Sequence, residues 1–192
     1  MRVMSKNDKA IPTLHLEYSA AAWRDVRGLK ACLEKAALLT LSRLPKPLQL
    51  VARNAGFTVL LTTNAAVRRL NREFRGLDKP TNVLSFPHFT PRQLTGMGRA
   101  ESPVYVGDIA MAYQYVVDEA EKERKLLKNH VTHLMIHGIL HLFGYDHQTN
   151  AAALRMETLE KTLMAELGLP DPYAPLAAPA TTRRNVRKVT RT

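Results

Sequence analysis

The stretch HGILHLFGYDH, residues 137–147, constrains this chain more than any other. His137 and His141 stand four residues apart, so on a helix their side chains fall one turn above another on the same face. Gly144 follows, and glycine tolerates the positive φ that lets a chain leave a helix and double back. His147 can then meet the other two imidazoles at one point. Zinc takes imidazole nitrogens at about 2.0–2.1 Å in a tetrahedral arrangement, and a catalytic zinc keeps three protein ligands and one open position. The spacing therefore predicts a helix that ends near Gly144, with one zinc ion per chain held on it and on the turn after it. The plainer alternative is a polar stripe on a partly buried helix, which leaves the glycine turn as a coincidence. His133 and His130 extend the row upstream and suit that plainer reading, with support of the ligating rings as the second option. Asp146 is either a fourth ligand or an acceptor that orients a ligating ring.

Zinc peptidases of the HExxHxxGxxH type share this spacing, and their glutamate is the general base. Here Gly138 occupies that position and cannot accept a proton. The usual peptidase route loses its base, while metal-assisted chemistry on another substrate survives, because coordination alone brings the pKa of bound water to about 7. Close helix packing beneath the site is a second reason for a glycine, and both can hold. Charge narrows the substrate: 28 Lys plus Arg against 17 Asp plus Glu leave +11. Such a surplus favours RNA, DNA or anionic lipid as partner. A phosphodiester gains negative charge in its transition state, which arginine and a metal cation stabilise. Three histidines on a basic chain thus point to phosphodiester cleavage in a nucleic acid more than to peptide cleavage.

At 192 residues the chain is of single-domain size and can bury a core without disulfides. Cys32 is the only cysteine, which excludes an internal disulfide and suits a reducing compartment. It reads as core filler. The amino terminus lacks the apolar run of a signal peptide, and no segment approaches the roughly 20 apolar residues of a membrane span. A cytoplasmic protein without a membrane partner is expected.

Residues 1–12 read as a flexible leader, 13–168 as the catalytic domain and 169–192 as a disordered tail, proline-rich and then basic. TLHLEY alternates as a strand, and Ser19 can cap a helix presenting Val26, Leu29, Leu33 and Ala36 that stops by Pro45. LQLVAR and FTVLLT read as two strands joined by a turn at Asn54, Ala55 and Gly56. Asn64 then caps a helix with Val67, Leu70 and Phe74 on its buried side, stopped by Gly76. NVLSF is a strand, residues 88–103 a loop, and VYVGDIAMAY a strand. A helix starts near Gln114, Asn129 caps the histidine helix, and a last helix carries Met156, Leu159, Leu163 and Leu167 as far as Gly168. The pattern predicts an α+β single domain, a small mixed β-sheet packed with about five helices.

HGILHLFGYDH is similar throughout to the pattern HGxLHLxGYDH of the YbeY family of bacterial endoribonucleases, the ribosomal RNA maturation factors. LNREFRGLDKPTNVLSFP at 70–87 and VGDIAMA at 106–112 resemble two further stretches of that family, in matching order across about residues 57–165. The resemblance implies an α+β fold with one zinc held by His137, His141 and His147. It implies a single-strand-specific endoribonuclease in small-subunit ribosomal RNA 3′-end maturation and ribosome quality control. Ribosomal RNA, the small ribosomal subunit, one of its proteins and a ribosome-assembly GTPase are the partners it suggests. It also places the family's functional arginine on Arg75, as the catalytic residue. The residues alone would not choose Arg75, because Arg68, Arg69, Arg72 and Arg75 form a basic helix face of the kind that is usually just solvated. The leader and tail lie outside the family's usual boundaries. Arg183, Arg184, Arg187, Lys188 and Arg191 either add nonspecific RNA affinity or form a dispensable end. Two rival readings remain: a non-catalytic ribosome-assembly factor with a structural zinc, and a metallohydrolase of peptides or small molecules.

Overall fold

Alternating apolar side chains build a four-stranded mixed sheet in this computed structural model, which describes residues 12–98 and 102–175. The strands are β1 (Thr13–Tyr18), β2 (Ala55–Thr62), β3 (Val83–Pro87) and β4 (Val104–Ala112). Their spatial order is β1-β2-β4-β3, with β1, β2 and β4 parallel and β3 antiparallel to β4 along the edge. In β4 the two-residue period sends Ile109 and Met111 into the larger core and Ala110 and Ala112 into a smaller one. The larger core holds α1 (Leu29–Arg43), through Leu33, Ala36 and Leu41, and α6 (Leu127–Leu142), through Val131, Met135 and Ile139. The smaller core holds α3 (Asn64–Arg75) through Val67, where the two alanines leave room for a close helix. The result is one α+β domain with helices on both faces of its sheet.

Seven helices are present among the described residues, rather than about five. LQLVAR, expected as a strand, lies in α2 (Lys46–Ala52). Pro47 sits in the first helical turn, and Leu48, Val51 and Ala52 are buried at helical spacing. The expected loop at 88–103 contains α4 (Pro91–Gly96), opened by a reciprocal capping box between Thr90 and Gln93. Both α5 (Tyr113–Lys122) and α7 (Asn150–Glu166) stand where helices were expected.

Several caps differ by a few residues. Thr63, not Asn64, caps α3 by accepting from Ala66 N, while Asn64 Oδ1 accepts from Tyr115 N at 2.9 Å. The helix α6 begins after Leu126 rather than at Asn129. The Ser19 hydroxyl donates to Thr62 Oγ1 at 2.6 Å, and a short 3-10 turn at Ala21–Asp25 precedes α1. Phe74, expected on the buried side of α3, is 62% exposed and rests edge-on against Phe86 with ring centroids 5.1 Å apart. Most of the leader and the arginine-rich end of the tail lie outside the described residues. Residues 169–175 lie inside them and pack: Leu169 reaches the larger core, and Lys125 Nζ donates to the Pro172 carbonyl at 2.6 Å. No helix of the described residues is long and apolar enough to cross a membrane.

Candidate metal centre

The helix α6 is buried along most of its length, and its last turns bring His137 and His141 to a partly open rim. Gly144 ends it with φ +83°. A Cβ there would lie 2.5 Å from Pro91 Cγ and 2.9 Å from Pro91 Cβ, so glycine is needed both for the turn and for the approach of α4. The reversed chain then carries His147 back. One ring nitrogen from each of His137, His141 and His147 falls within a set no wider than 4.8 Å. The His147 ring stacks on His137 at 5.8 Å between centroids and meets His141 edge-on at 5.2 Å. Among the described residues this is the group that could hold a metal ion. Asp146 is outside it, and its Oδ1 accepts from Gln148 N at 3.1 Å.

Hydrogen bonding fixes which nitrogens are available. His141 Nδ1 lies 2.9 Å from the Tyr145 carbonyl, which can only accept, so Nδ1 carries the proton. His137 Nδ1 lies 2.8 Å from Glu160 Oε1 and likewise donates. In the neutral tautomers each Nε2 is then a lone pair, and the two face each other at 3.0 Å. Two lone pairs at that distance repel unless a metal cation or a shared proton lies between them, and tetrahedral zinc at about 2.0–2.1 Å would set its nitrogens about 3.3 Å apart. The donor set fits the ion. Burial, and then the neighbouring His137 and His147, push the His141 pKa down to about 4, which keeps its ring in the neutral, ligating form.

Beneath the rings lies a polar layer. Glu160, on α7, is buried; its Oε2 accepts from His133 Nε2 at 2.8 Å and from the Tyr173 hydroxyl. Burial alone would raise the Glu160 pKa, but the hydrogen bonds from His133 and His137 outweigh it and hold the carboxyl down to about 2. His130 Nε2 pairs with Glu119 Oε2 at 2.7 Å, and Asn82 Nδ2 donates to the same oxygen at 2.8 Å. His130 and His133 are thus each paired with a carboxylate, and through Glu160 His133 shares its partner with His137. The sequence reading missed Glu160 and Tyr173. A signal for the first was present, because Glu160 is the single acid on an otherwise apolar stripe of Met156, Leu163 and Leu167.

Gly138 faces the sheet. A Cβ on it would lie 2.9 Å from Ile109 Cδ1 and 3.1 Å from Ile109 Cγ2, and the Ser85 hydroxyl donates to its carbonyl at 3.3 Å. The position that carries the base in zinc peptidases here abuts β4, so the close-packing reason for glycine holds.

The rings open into a cleft of about 440 Å³, bordered by edge strand β3, by Pro91 of α4 and by Arg75. Arg68 makes a two-pronged pair with Asp78, at 2.9 and 2.7 Å, and Arg72 lies 3.8 Å from the same carboxylate. Arg75 lines the cleft and has no ion pair among the described residues. Arg69 has no ion pair among the described residues either, so what sets Arg75 apart on the basic face is its place on the cleft.

A small α+β domain in which a buried helix, its glycine turn and an edge strand frame three convergent imidazoles beside an unpaired guanidinium defines a candidate metallohydrolase. Comparison with known proteins supplies the family. The chain belongs to the family described as endoribonuclease YbeY, whose profile matches residues 28–168. It is 42% identical over 167 residues to "Endoribonuclease YbeY" of Nitrobacter winogradskyi, covering 86% of this chain and 84% of that one. It is also 42% identical over 165 residues to the protein of that name from a Bradyrhizobium species, covering 85% and 94%. A solution structure of a Thermotoga maritima protein is 22% identical, with a TM-score of 0.48 over 84% of this chain and 99% of that one.

Proposed function

We propose that this chain is a zinc-dependent endoribonuclease that cuts single-stranded RNA during small-subunit ribosomal RNA 3′-end maturation and ribosome quality control. Family membership supports the nuclease chemistry. The observation that carries the metal dependence is the pair of Nε2 atoms of His137 and His141, each on a ring whose Nδ1 is already hydrogen-bonded, facing each other at 3.0 Å on the rim of a cleft. His137, His141 and His147 hold the ion. Zinc bound there supplies Lewis-acid polarisation of a phosphoryl oxygen or activation of a nucleophilic water.

Arg75 binds the scissile phosphate and stabilises charge that develops on its oxygens, a task its unpaired guanidinium can take up without first breaking an ion pair. Tyr145 positions His141 through its carbonyl. The net charge of +11 favours a polyanionic substrate, with ribosomal RNA, the small subunit, one of its proteins and an assembly GTPase as partners. The cytoplasm is the compartment.

Recombinant protein should cleave an end-labelled single-stranded RNA and spare the matching duplex. Chelation should abolish cleavage and added zinc restore it, and His141→Ala should be inactive with or without zinc. Equal cleavage by wild type, His141→Ala and Arg75→Ala would mark a contaminating nuclease and refute the proposal. In cells lacking the protein, small-subunit precursor RNA should accumulate unprocessed 3′ ends.

A further inference from the structure

We propose that Glu160 is a positioning residue of the metal centre, fixing His137 with its Nε2 lone pair toward the cleft, and that residues 169–175 hold Glu160 in place through Tyr173. The inference rests on the metal-binding reading of the three histidines. An ionised carboxylate taken wholly out of water is costly unless every lone pair has a donor. Glu160 is 0% exposed and meets that condition with three donors from two directions. His137 Nδ1 serves Oε1 at 2.8 Å, while His133 Nε2, at 2.8 Å, and the Tyr173 hydroxyl serve Oε2. A lone structural carboxylate would be satisfied by any donors. This one takes a donor from a candidate ligand on the ring atom opposite the one that faces the cleft.

The consequence for the ligand is geometric and electrostatic. Accepting from Nδ1–H selects the tautomer with a bare Nε2, fixes the ring plane, and places a negative charge that raises the basicity of that nitrogen. His133 supports the same acid. Donating through Nε2, it leaves its buried Nδ1 without a partner. With Nε2 committed to Glu160, the ring is held as a partner of the acid and is not placed to bind metal.

The segment 169–175 supplies the fastening. Tyr173 meets the His133 ring edge-on at 5.3 Å, and its backbone N–H donates to Asp171 Oδ1 at 2.8 Å in a tight turn. Lys125 Nζ clasps the Pro172 carbonyl at 2.6 Å, tying the segment to the start of α6. The stretch expected as the beginning of a disordered tail thus closes over the buried acid.

The test uses the full chain, zinc dissociation constants from chelator competition, and cobalt(II) absorption spectra as a report of ligand geometry. Glu160→Gln keeps the shape of the side chain but offers one acceptor oxygen and an NH₂ to three donors. Zinc binding should weaken by about 10–100-fold, with a shifted cobalt spectrum. Glu166→Gln is the control: it removes the same charge from α7 at a carboxylate paired with Arg43, 2.7 Å away, and should bind zinc as wild type does. A folded Glu160→Gln variant with the wild-type dissociation constant and cobalt spectrum would overturn the proposal. Should Glu160→Gln fail to fold, Glu160→Asp and Tyr173→Phe decide. Weakened zinc binding in both relative to Glu166→Gln supports the role, and wild-type binding in both removes it. Loss of zinc binding by the wild type itself would fell the metal reading, and that outcome is visible without any variant.

Discussion

Replacing Gly144 by alanine tests whether the turn after α6 is what assembles the site. Two costs add at this position. An L-residue held near φ +83° costs about 1–2 kcal/mol. The new Cβ would also lie 2.5 Å from Pro91 Cγ, deep inside contact distance, and forced overpacking costs about 1–3 kcal/mol. Against these, alanine gains about 0.4–1 kcal/mol by narrowing the unfolded ensemble. The net loss should be about 1–4.6 kcal/mol, read as a urea midpoint lower by about 0.5–2.3 M at a slope near 2 kcal/mol/M. Because Pro91 is a proline ring at the head of α4, it cannot swing aside as a flexible side chain would. Adding Pro91→Ala removes the nearest atom and should recover part of the loss, leaving behind the backbone strain and the 2.9 Å approach to the Cβ of residue 91. His147 lies just past the turn, so zinc affinity should fall with stability. A Gly144→Ala variant within 0.5 kcal/mol of wild type by urea unfolding, binding zinc normally, would refute the reasoning, since about 1 kcal/mol is its floor.

Arg75→Ala should lower the cleavage rate by about 10²–10³ while leaving zinc affinity and thermal stability as they were, because the side chain is exposed and breaks no ion pair when removed; a parallel loss of zinc binding would contradict that division. Saturating the chain with zinc at 100 times its dissociation constant should stabilise it by about 2.7 kcal/mol in a thermal melt, an increment absent from His141→Ala. Glu119 is held below the ordinary carboxylate range, first by the His130 hydrogen bond and also by Asn82. A depressed carboxylate contributes stability above its unfolded pKa of 4.5 that is lost as pH falls through the lower folded value. Glu119→Gln should therefore be less stable than wild type at pH 7, with the gap narrowing below about pH 4.5 in urea titrations; a gap that widens on acidification would reverse the sign and sink the assignment.

What the sequence made legible follows from the range of each interaction. The strands at Thr13–Tyr18 and Val104–Ala112 show in their two-residue alternation, and the three histidines show because their chemistry sits within eleven consecutive residues. LQLVAR failed because a six-residue stretch whose apolar residues are Leu48, Leu50, Val51 and Ala52 satisfies both periods. The deciding signal was Pro47, whose missing N–H costs nothing in a first helical turn. The helix at Pro91–Gly96 was readable in principle from Thr90, Pro91 and Gln93, a capping pattern masked by the prolines and glycines around it. Phe74 was placed inward by helical spacing, which fixes a face but not how far that face stays covered at the helix end. The partners of Glu160 could not be read locally, because His133 and His137 on α6, Glu160 on α7 and Tyr173 beyond it lie far apart in sequence and meet only through packing.

All three candidate ligands belong to one hairpin of chain, and this bears on how a cation would act mechanically. An ion bound there ties off a loop of only about ten residues, so the entropy it removes from the unfolded polypeptide is small compared with a clasp between distant segments. It works as a rivet in a single plate and not as a bolt joining two. Sheet and helices have no need of it to find one another, so loading can follow folding and can be undone without dismantling the domain.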